Sequence, residues 1–222
     1  MKKAFLGFAA ALAASASSGA TVNITSTGNY GTIVNYTSCT TAPAVPCANF
    51  LATHNVTGTF TTSGPLPANA SNLEIGSTVT SYSFSSGLDV IASSDPNARL
   101  NTLRISTDAA GKITSMGPML VTLWLTGTAP HTAADRVSGI VITGTSASAV
   151  YNSGCDTVAT GGVADICTIY MDDSSRSQAS GASVRVAAPA GPVSIPTLSQ
   201  AGTMLMTSLL GLFAFRRLRR RR

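Results

Sequence analysis

The chain has 222 residues, room for one domain or two small ones. Only 10% of them are charged, well under the quarter or so of an average soluble protein. The formal charge of +5 does not indicate a nucleic-acid binder: Lys2, Lys3 and the six arginines between Arg216 and Arg222 lie at the ends, and the stretch between carries six basic against nine acidic side chains, a net of −3.

Met1-Lys2-Lys3 is a positive start, and Ala4 to Ala14 is an apolar run of ordinary length. Ser18-Gly19-Ala20 offers small residues at a cleavage site, with Ala14-Ser15-Ala16 as a second candidate. The pattern predicts a secretory signal peptide over 1–20, to be left out of the fold.

From Thr21 onward apolar residues recur with period two. Thr21-Val22-Asn23-Ile24 alternates, and Gly31 to Tyr36, Thr57 to Thr61 and Ser77 to Phe84 follow. Further segments are Leu88 to Ile91, Leu103 to Ser106, Lys112 to Met116, Leu120 to Leu125, Ile140 to Thr143, Ala149 to Tyr151, Ile166 to Met171 and Ser183 to Ala187. Such alternation indicates half-buried strands. Gly, Pro, Asn and Asp separate them, as at Gly64-Pro65-Leu66-Pro67 and Ser94-Asp95-Pro96-Asn97. No sustained helical period interrupts the series. The expected fold class is therefore all-β, an antiparallel β-sandwich or jelly-roll-like body over 21–186. One hairpin is sharply marked: Asp108 opens a turn between two strands, and Gly111 supplies the left-handed residue that closes it.

Residues that could carry chemistry are few. No G-x-S-x-G is present, the nearest stretch, Gly144 to Ser148, lacking the last glycine; H-E-x-x-H and a phosphate-binding loop are absent too. Glu74 is the one glutamate, so a glycosidase would need aspartates for its carboxylate pair. His54 and His131 are the two histidines. His131 stands four residues before Asp135, a spacing that could orient a base but more often gives a solvated surface pair. Asp172 and Asp173, with Asp165 nearby, offer oxygens to calcium, yet fit no EF-hand spacing and read better as a polar turn. The single Trp124 lies within an apolar strand and reads as core rather than as a sugar-stacking platform. No catalytic residue, metal ligand or cofactor is assigned, and the body reads as non-catalytic. The competing reading is a secreted carbohydrate-binding module or carbohydrate-active enzyme.

Four cysteines in an exported chain favour disulfides over metal. Three pairings are open; nearness in sequence favours Cys39 with Cys47 and Cys155 with Cys167. Each closed loop would stabilise by roughly 2.5–3 kcal/mol in the chain-entropy picture.

Residues 187–194 (Ala-Ala-Pro-Ala-Gly-Pro-Val-Ser) carry no period and read as a flexible linker. The tail, 195–222, then has three parts. Ile195-Pro196-Thr197-Leu198-Ser199-Gln200-Ala201-Gly202 comes first, an uncharged apolar run reaches Phe215, and Arg216, Arg217, Arg219, Arg220, Arg221 and Arg222 close the chain. A helix from Leu198 to Phe215 would be about 27 Å long at about 1.5 Å per residue, enough for a thin bilayer. Arginines beside a span stay on the cytoplasmic side, so they act as a stop-transfer block and the body faces outward.

This order of motif, greasy helix and arginines resembles the IPTL-CTERM sorting signal, a relative of the PEP-CTERM signals of Gram-negative bacteria. Ile195, Pro196, Thr197, Leu198, Ser199 and Gly202 carry the resemblance, while Gln200 and Ala201 stand where the family has Glu and Trp. The resemblance implies passage through the inner membrane, an exosortase-type sorting peptidase as partner, removal of the tail and delivery to the cell surface or matrix. An extracellular polysaccharide is a further candidate partner. Two stretches of the body, Val56 to Asn72 and Ser106 to Ser115, resemble segments of PEP-CTERM-type surface proteins. They imply no activity.

Overall fold

The computed structural model describes residues 19–36, 45, 47–159, 165–171 and 176–187. The chain divides into two units, 1–189 and 190–222, and every described residue belongs to the first. The expected signal peptide up to residue 18, Cys39, Asp172, Asp173, the linker from 188 on and the whole tail lie outside the described residues. Among those described, no helix is long and apolar enough to cross a membrane.

The described residues form twelve strands and one 3-10 turn, Gly76–Thr78. The strands are β1 (Thr21–Gly28), β2 (Thr32–Val34), β3 (Thr57–Thr62), β4 (Leu73–Glu74), β5 (Val79–Ser85), β6 (Val90–Ala92), β7 (Ala98–Thr107), β8 (Ile113–Trp124), β9 (Arg136–Thr143), β10 (Ser146–Ala159), β11 (Ile166–Tyr170) and β12 (Ser177–Ala187). Every pairing between them is antiparallel. In space they run β4-β7-β8-β9-β10-β12-β1-β3-β5-β6, with β2 beside β12 and β11 beside β10. The joint is β12, whose first half pairs with β10 and β2 and whose second half pairs with β1.

Period-two patterning builds the core. Met119 and Val121 of β8 face Ile142 and Ile140 of β9 across the ladder, and all four are fully buried. They share one cluster with Leu103 and Ile105 of β7 and with Phe60, Phe84 and Ile91 from β3, β5 and β6. Strands from both arms of the sheet thus cover one core. Each such side chain contributes roughly 1.5–3 kcal/mol by leaving water.

Local chemistry sets the turns. At the β7–β8 hairpin the Asp108 carboxylate accepts from the N–H groups of Ala110 and Lys112, both at 2.9 Å. Gly111 takes φ +76°, the left-handed conformation expected of it. The two segments expected at Lys112–Met116 and Leu120–Leu125 are one strand, β8. Gly117 and Pro118 lie between them at an irregularity, where the register passes from Ile105↔Met116 to Leu103↔Met119. Pairing with β9 begins only at Met119, so the proline, which has no N–H to give, stands where β8 is bordered by one partner. The short β4 was not expected. It is fixed by tertiary contacts of Glu74, whose Oε1 accepts from Leu103 N at 2.9 Å and from Gly76 N at 3.0 Å.

Candidate functional site

Where β8 and β9 meet, Trp124 pairs with Val137, and Thr122 with Gly139. These residues alternate with the core set and so occupy the opposite face of the sheet. On β10 the register passes from Val150↔Gly139 to Ser153↔Val137, so Tyr151 and Asn152 together oppose Ser138. This is a bulge, and Asn152 takes φ +56° there. Arg136 holds it from β9, its Nε donating to Asn152 Oδ1 at 3.0 Å and its guanidinium also donating to Asn152 O. Beyond the bulge, β10 and β11 form a hairpin that covers this face. Trp124, Val137, Cys155 and Cys167 are packed into a second, smaller core, with Val158 and Tyr170 against it.

Cys155 and Cys167 are joined by a disulfide, with Cα atoms 5.7 Å apart and neither residue exposed. Cys47 is also disulfide-bonded, and its expected partner, Cys39, lies outside the described residues.

The hairpin is fastened to the body at Asp165. Its backbone takes φ +63°, a conformation that Asp tolerates better than most side chains. Its carbonyl accepts the indole N–H of Trp124 at 2.9 Å. One carboxylate oxygen, Oδ1, accepts His131 N–H at 2.6 Å, and the other accepts Arg99 at 2.9 Å. His131 Nδ1 lies 2.8 Å from Oδ2 and 3.0 Å from Oδ1. An ionised carboxylate can only accept, so Nδ1 carries the hydrogen. The imidazole is stacked on Trp124, centroids 4.4 Å apart and planes within 4°. Burial would raise the Asp165 carboxyl pKa, but the bonds from His131 and Arg99 and the charge of His131 outweigh it and hold the group below its usual value.

This corrects the expectation for His131. Its partner is Asp165, 34 residues downstream, and the pair is covered rather than solvated. Asp135 instead caps the loop before β9, its Oδ2 accepting from Thr132 N at 2.8 Å and from Thr132 Oγ1 at 3.1 Å. A histidine held at Nδ1 by a carboxylate is half of a proton-relay constellation; the other half is a nucleophile at Nε2. His131 Nε2 is buried and has no hydrogen-bond partner among the described residues. The arrangement fastens a hairpin. Trp124 is 2% exposed and offers no face to a sugar.

The remaining candidates stand apart. His54 accepts Leu51 N–H at Nδ1, 3.3 Å away, and packs edge-on against Phe50. Glu74 accepts from Thr102 Oγ1 besides its two backbone donors. Burial would raise its pKa, while these bonds and Arg104 bring it below the ordinary value. Among the described residues no group of three His, Cys, Asp or Glu side chains could hold a metal ion. A groove of about 380 Å³ runs between β11 and the outward face of β9, β10 and β12, lined by Val141, Val150, Ile169, Tyr170, Arg176 and Gln178 among others. Tyr170 is packed over Gly139, where a Cβ would collide with its hydroxyl.

Sequence reasoning singled out His131, Asp165 and Trp124 separately and missed Arg99 and the way Asp165 gathers the other three. The available signal was local: an aspartate just after Gly161-Gly162-Val163-Ala164, suited to a left-handed backbone, at the head of an apolar strand.

Comparison with known families concerns the other end of the chain. Residues 193–222 match the family described as the IPTL-CTERM motif. The chain ends in an IPTL-CTERM sorting signal. The matched span takes in Ile195 to Gly202 and the arginines from Arg216 to Arg222, all outside the described residues. An IPTL-CTERM signal marks an exported protein that passes through a membrane. Neither the curated proteins nor the solved structures yield a match to the chain.

Proposed function

We propose that the chain is an exported, non-catalytic protein of the cell surface or extracellular matrix, released from the inner membrane by an exosortase-type peptidase acting at its IPTL-CTERM signal. The match over residues 193–222 is the observation that carries this reading. An N-terminal signal peptide starts export. The apolar run up to Phe215 enters the membrane, and the six arginines stop transfer, since each costs on the order of 2.5–3.5 kcal/mol at a bilayer centre on insertion scales. Ile195-Pro196-Thr197-Leu198 then lies at the outer interface, where Pro196 cannot give an N–H to a strand ladder and the backbone stays open to a peptidase.

The body supports the same reading. A buried disulfide suits an oxidising compartment. The shared core of the two arms supports a β-sandwich. His131 and Asp165, the pair nearest to catalytic form, are committed to holding a hairpin. Mass spectrometry of the surface or shed protein tests the reading. A mature C-terminus between residues 195 and 202 supports sorting. Recovery of Phe215 and the arginines in every surface copy refutes it and leaves a permanent anchor.

A further inference from the structure

The groove beside β11 has no part in the sorting signal or in the fastening of the hairpin. Its volume of about 380 Å³ lies in the roughly 300–1,000 Å³ range of small-ligand sites. The sheet beneath it has no backbone groups to offer. Val150 pairs with Gly139 on one side and Gln178 on the other, and Val141 pairs with both Leu120 and Ser148. An extended peptide laid there would leave its own N–H and C=O groups without ladder partners. The polar lining consists of side chains instead. Gln178 presents an amide, both donor and acceptor, and Ser148 a hydroxyl. The Tyr170 hydroxyl lies over Gly139, buried and without a hydrogen-bond partner among the described residues. Val141, Val150 and Ile169 supply the apolar part, and Ile169 is 53% exposed.

Charge narrows the choice of ligand. No carboxylate is among the described lining residues, so nothing there selects a cation or an amine. Arg176 is the one charged residue among them, and its Nη1 already donates to Met171 O at 2.8 Å. The net charge of −3 on the stretch between the two basic ends opposes a polyanion. An uncharged ligand with an apolar face and a rim of hydroxyls fits what remains, and a pyranose ring has that form. We propose that the groove binds a neutral hexose unit of an extracellular polysaccharide. Val141, Val150 and Ile169 meet its C–H face, and Gln178 and Ser148 bond its hydroxyls. A sugar hydroxyl, directly or through one water, also gives the Tyr170 hydroxyl the partner that the protein does not supply. The inference deepens the reading above and rests on it, since a surface or matrix protein is the kind that meets such polymers.

Saturation-transfer NMR on the full exported chain tests it, with oligosaccharides of a neutral glucan, a neutral mannan and a polyuronate as probes. Transfer to at least one neutral oligosaccharide is expected, strongest at its ring C–H protons. Transfer to neither, or to the uronate alone, overturns the proposal. Gln178→Ala and Tyr170→Phe each remove one hydrogen bond to the sugar and are expected to weaken binding by about 2–10-fold. Ser148→Phe fills the groove and is expected to abolish it. Trp124 fluorescence gives the thermal midpoint of each variant, so a loss of binding counts only where the midpoint stays at the wild-type value. Unchanged affinity in the variants that keep that midpoint places the sugar elsewhere and overturns the site. The mass of the C-terminus, read on the same protein, reports on sorting separately. An intact tail with sugar bound refutes only the sorting reading, and a processed tail without sugar binding refutes only the groove.

Discussion

Replacing Asp165 by Asn is the most direct test of how the β10–β11 hairpin is held. Asn accepts a left-handed backbone as readily as Asp, and the backbone carbonyl that receives Trp124 is kept, so the perturbation falls on the carboxylate. The amide has one acceptor oxygen and presents N–H groups where the second stood. It cannot serve His131 N, His131 Nδ1 and Arg99 together. Leaving one buried donor on His131 unpaired costs about 1–3 kcal/mol. Arg99, 21% exposed, regains water, so the loss of its ion pair adds at most about 1 kcal/mol. The sum is roughly 1–4 kcal/mol, or roughly 2–16 °C in Tm for a chain of this size. Trp124 is the one tryptophan of the chain, so its fluorescence in urea or thermal unfolding reports from inside the cluster. Asp165 is held below its ordinary value, so its contribution is complete above about pH 4 and is lost as pH falls through the depressed folded value. The wild-type protein therefore loses stability on acidification in that range, and the variant loses less. Asp135→Asn is the control, because that carboxylate caps an exposed loop and is worth about 1 kcal/mol or less. A destabilisation by Asp165→Asn no larger than that of Asp135→Asn would refute the account.

Three further outcomes are expected. The Asp89 carboxyl is pushed up by burial, and its Oδ2 has no hydrogen-bond partner among the described residues; stability falls as pH rises from the ordinary carboxylate value through the raised folded one, and Asp89→Asn removes that slope, read by urea unfolding at a series of pH values. Gly139→Ala drives a methyl group into the Tyr170 hydroxyl and costs about 1–3 kcal/mol. Tyr170→Phe, which deletes a buried hydroxyl without a partner, restores most of that loss in a double-mutant cycle; additive effects would mean that the two groups do not meet. Replacing Arg216, Arg217, Arg219, Arg220, Arg221 and Arg222 by Gln leaves the body exported but poorly retained in the membrane fraction, and unchanged retention on fractionation would count against stop-transfer.

What the sequence made legible was what is local in the chain. The sorting signal is a run of neighbouring residues, so its pattern is legible directly from Ile195 to Arg222. Strand alternation is local too, and the hairpin at Asp108 and Gly111 follows from side-chain acceptors and backbone handedness within four residues. Two errors arose where pairing decides. Gly117-Pro118 punctuates the sequence, yet the strand continues past it because β7 absorbs the irregularity and β9 is not yet beside it. Leu73–Glu74 has no pattern of its own and becomes a strand because Glu74 reaches the backbone of Leu103.

The His131–Asp165 pair shows the limit of spacing most clearly. Four residues along the chain separate His131 from Asp135, and that distance suggested a pair. The bulge at Asn152 instead bends β10 so that the hairpin carries Asp165 back over Trp124, and the nearer aspartate is occupied by Thr132. No periodicity in the sequence encodes that turn. Its components are separately ordinary: a left-handed Asn, an arginine on the neighbouring strand, two cysteines twelve residues apart and an aspartate that tolerates positive φ. Together they select one closure. The disulfide ties the two strands of the hairpin together, the bulge aims the hairpin across the sheet, and the charged pair fixes where it lands. Each element is weak evidence for a site when read alone, and together the same elements account for a buried histidine, a stacked tryptophan and a depressed carboxylate.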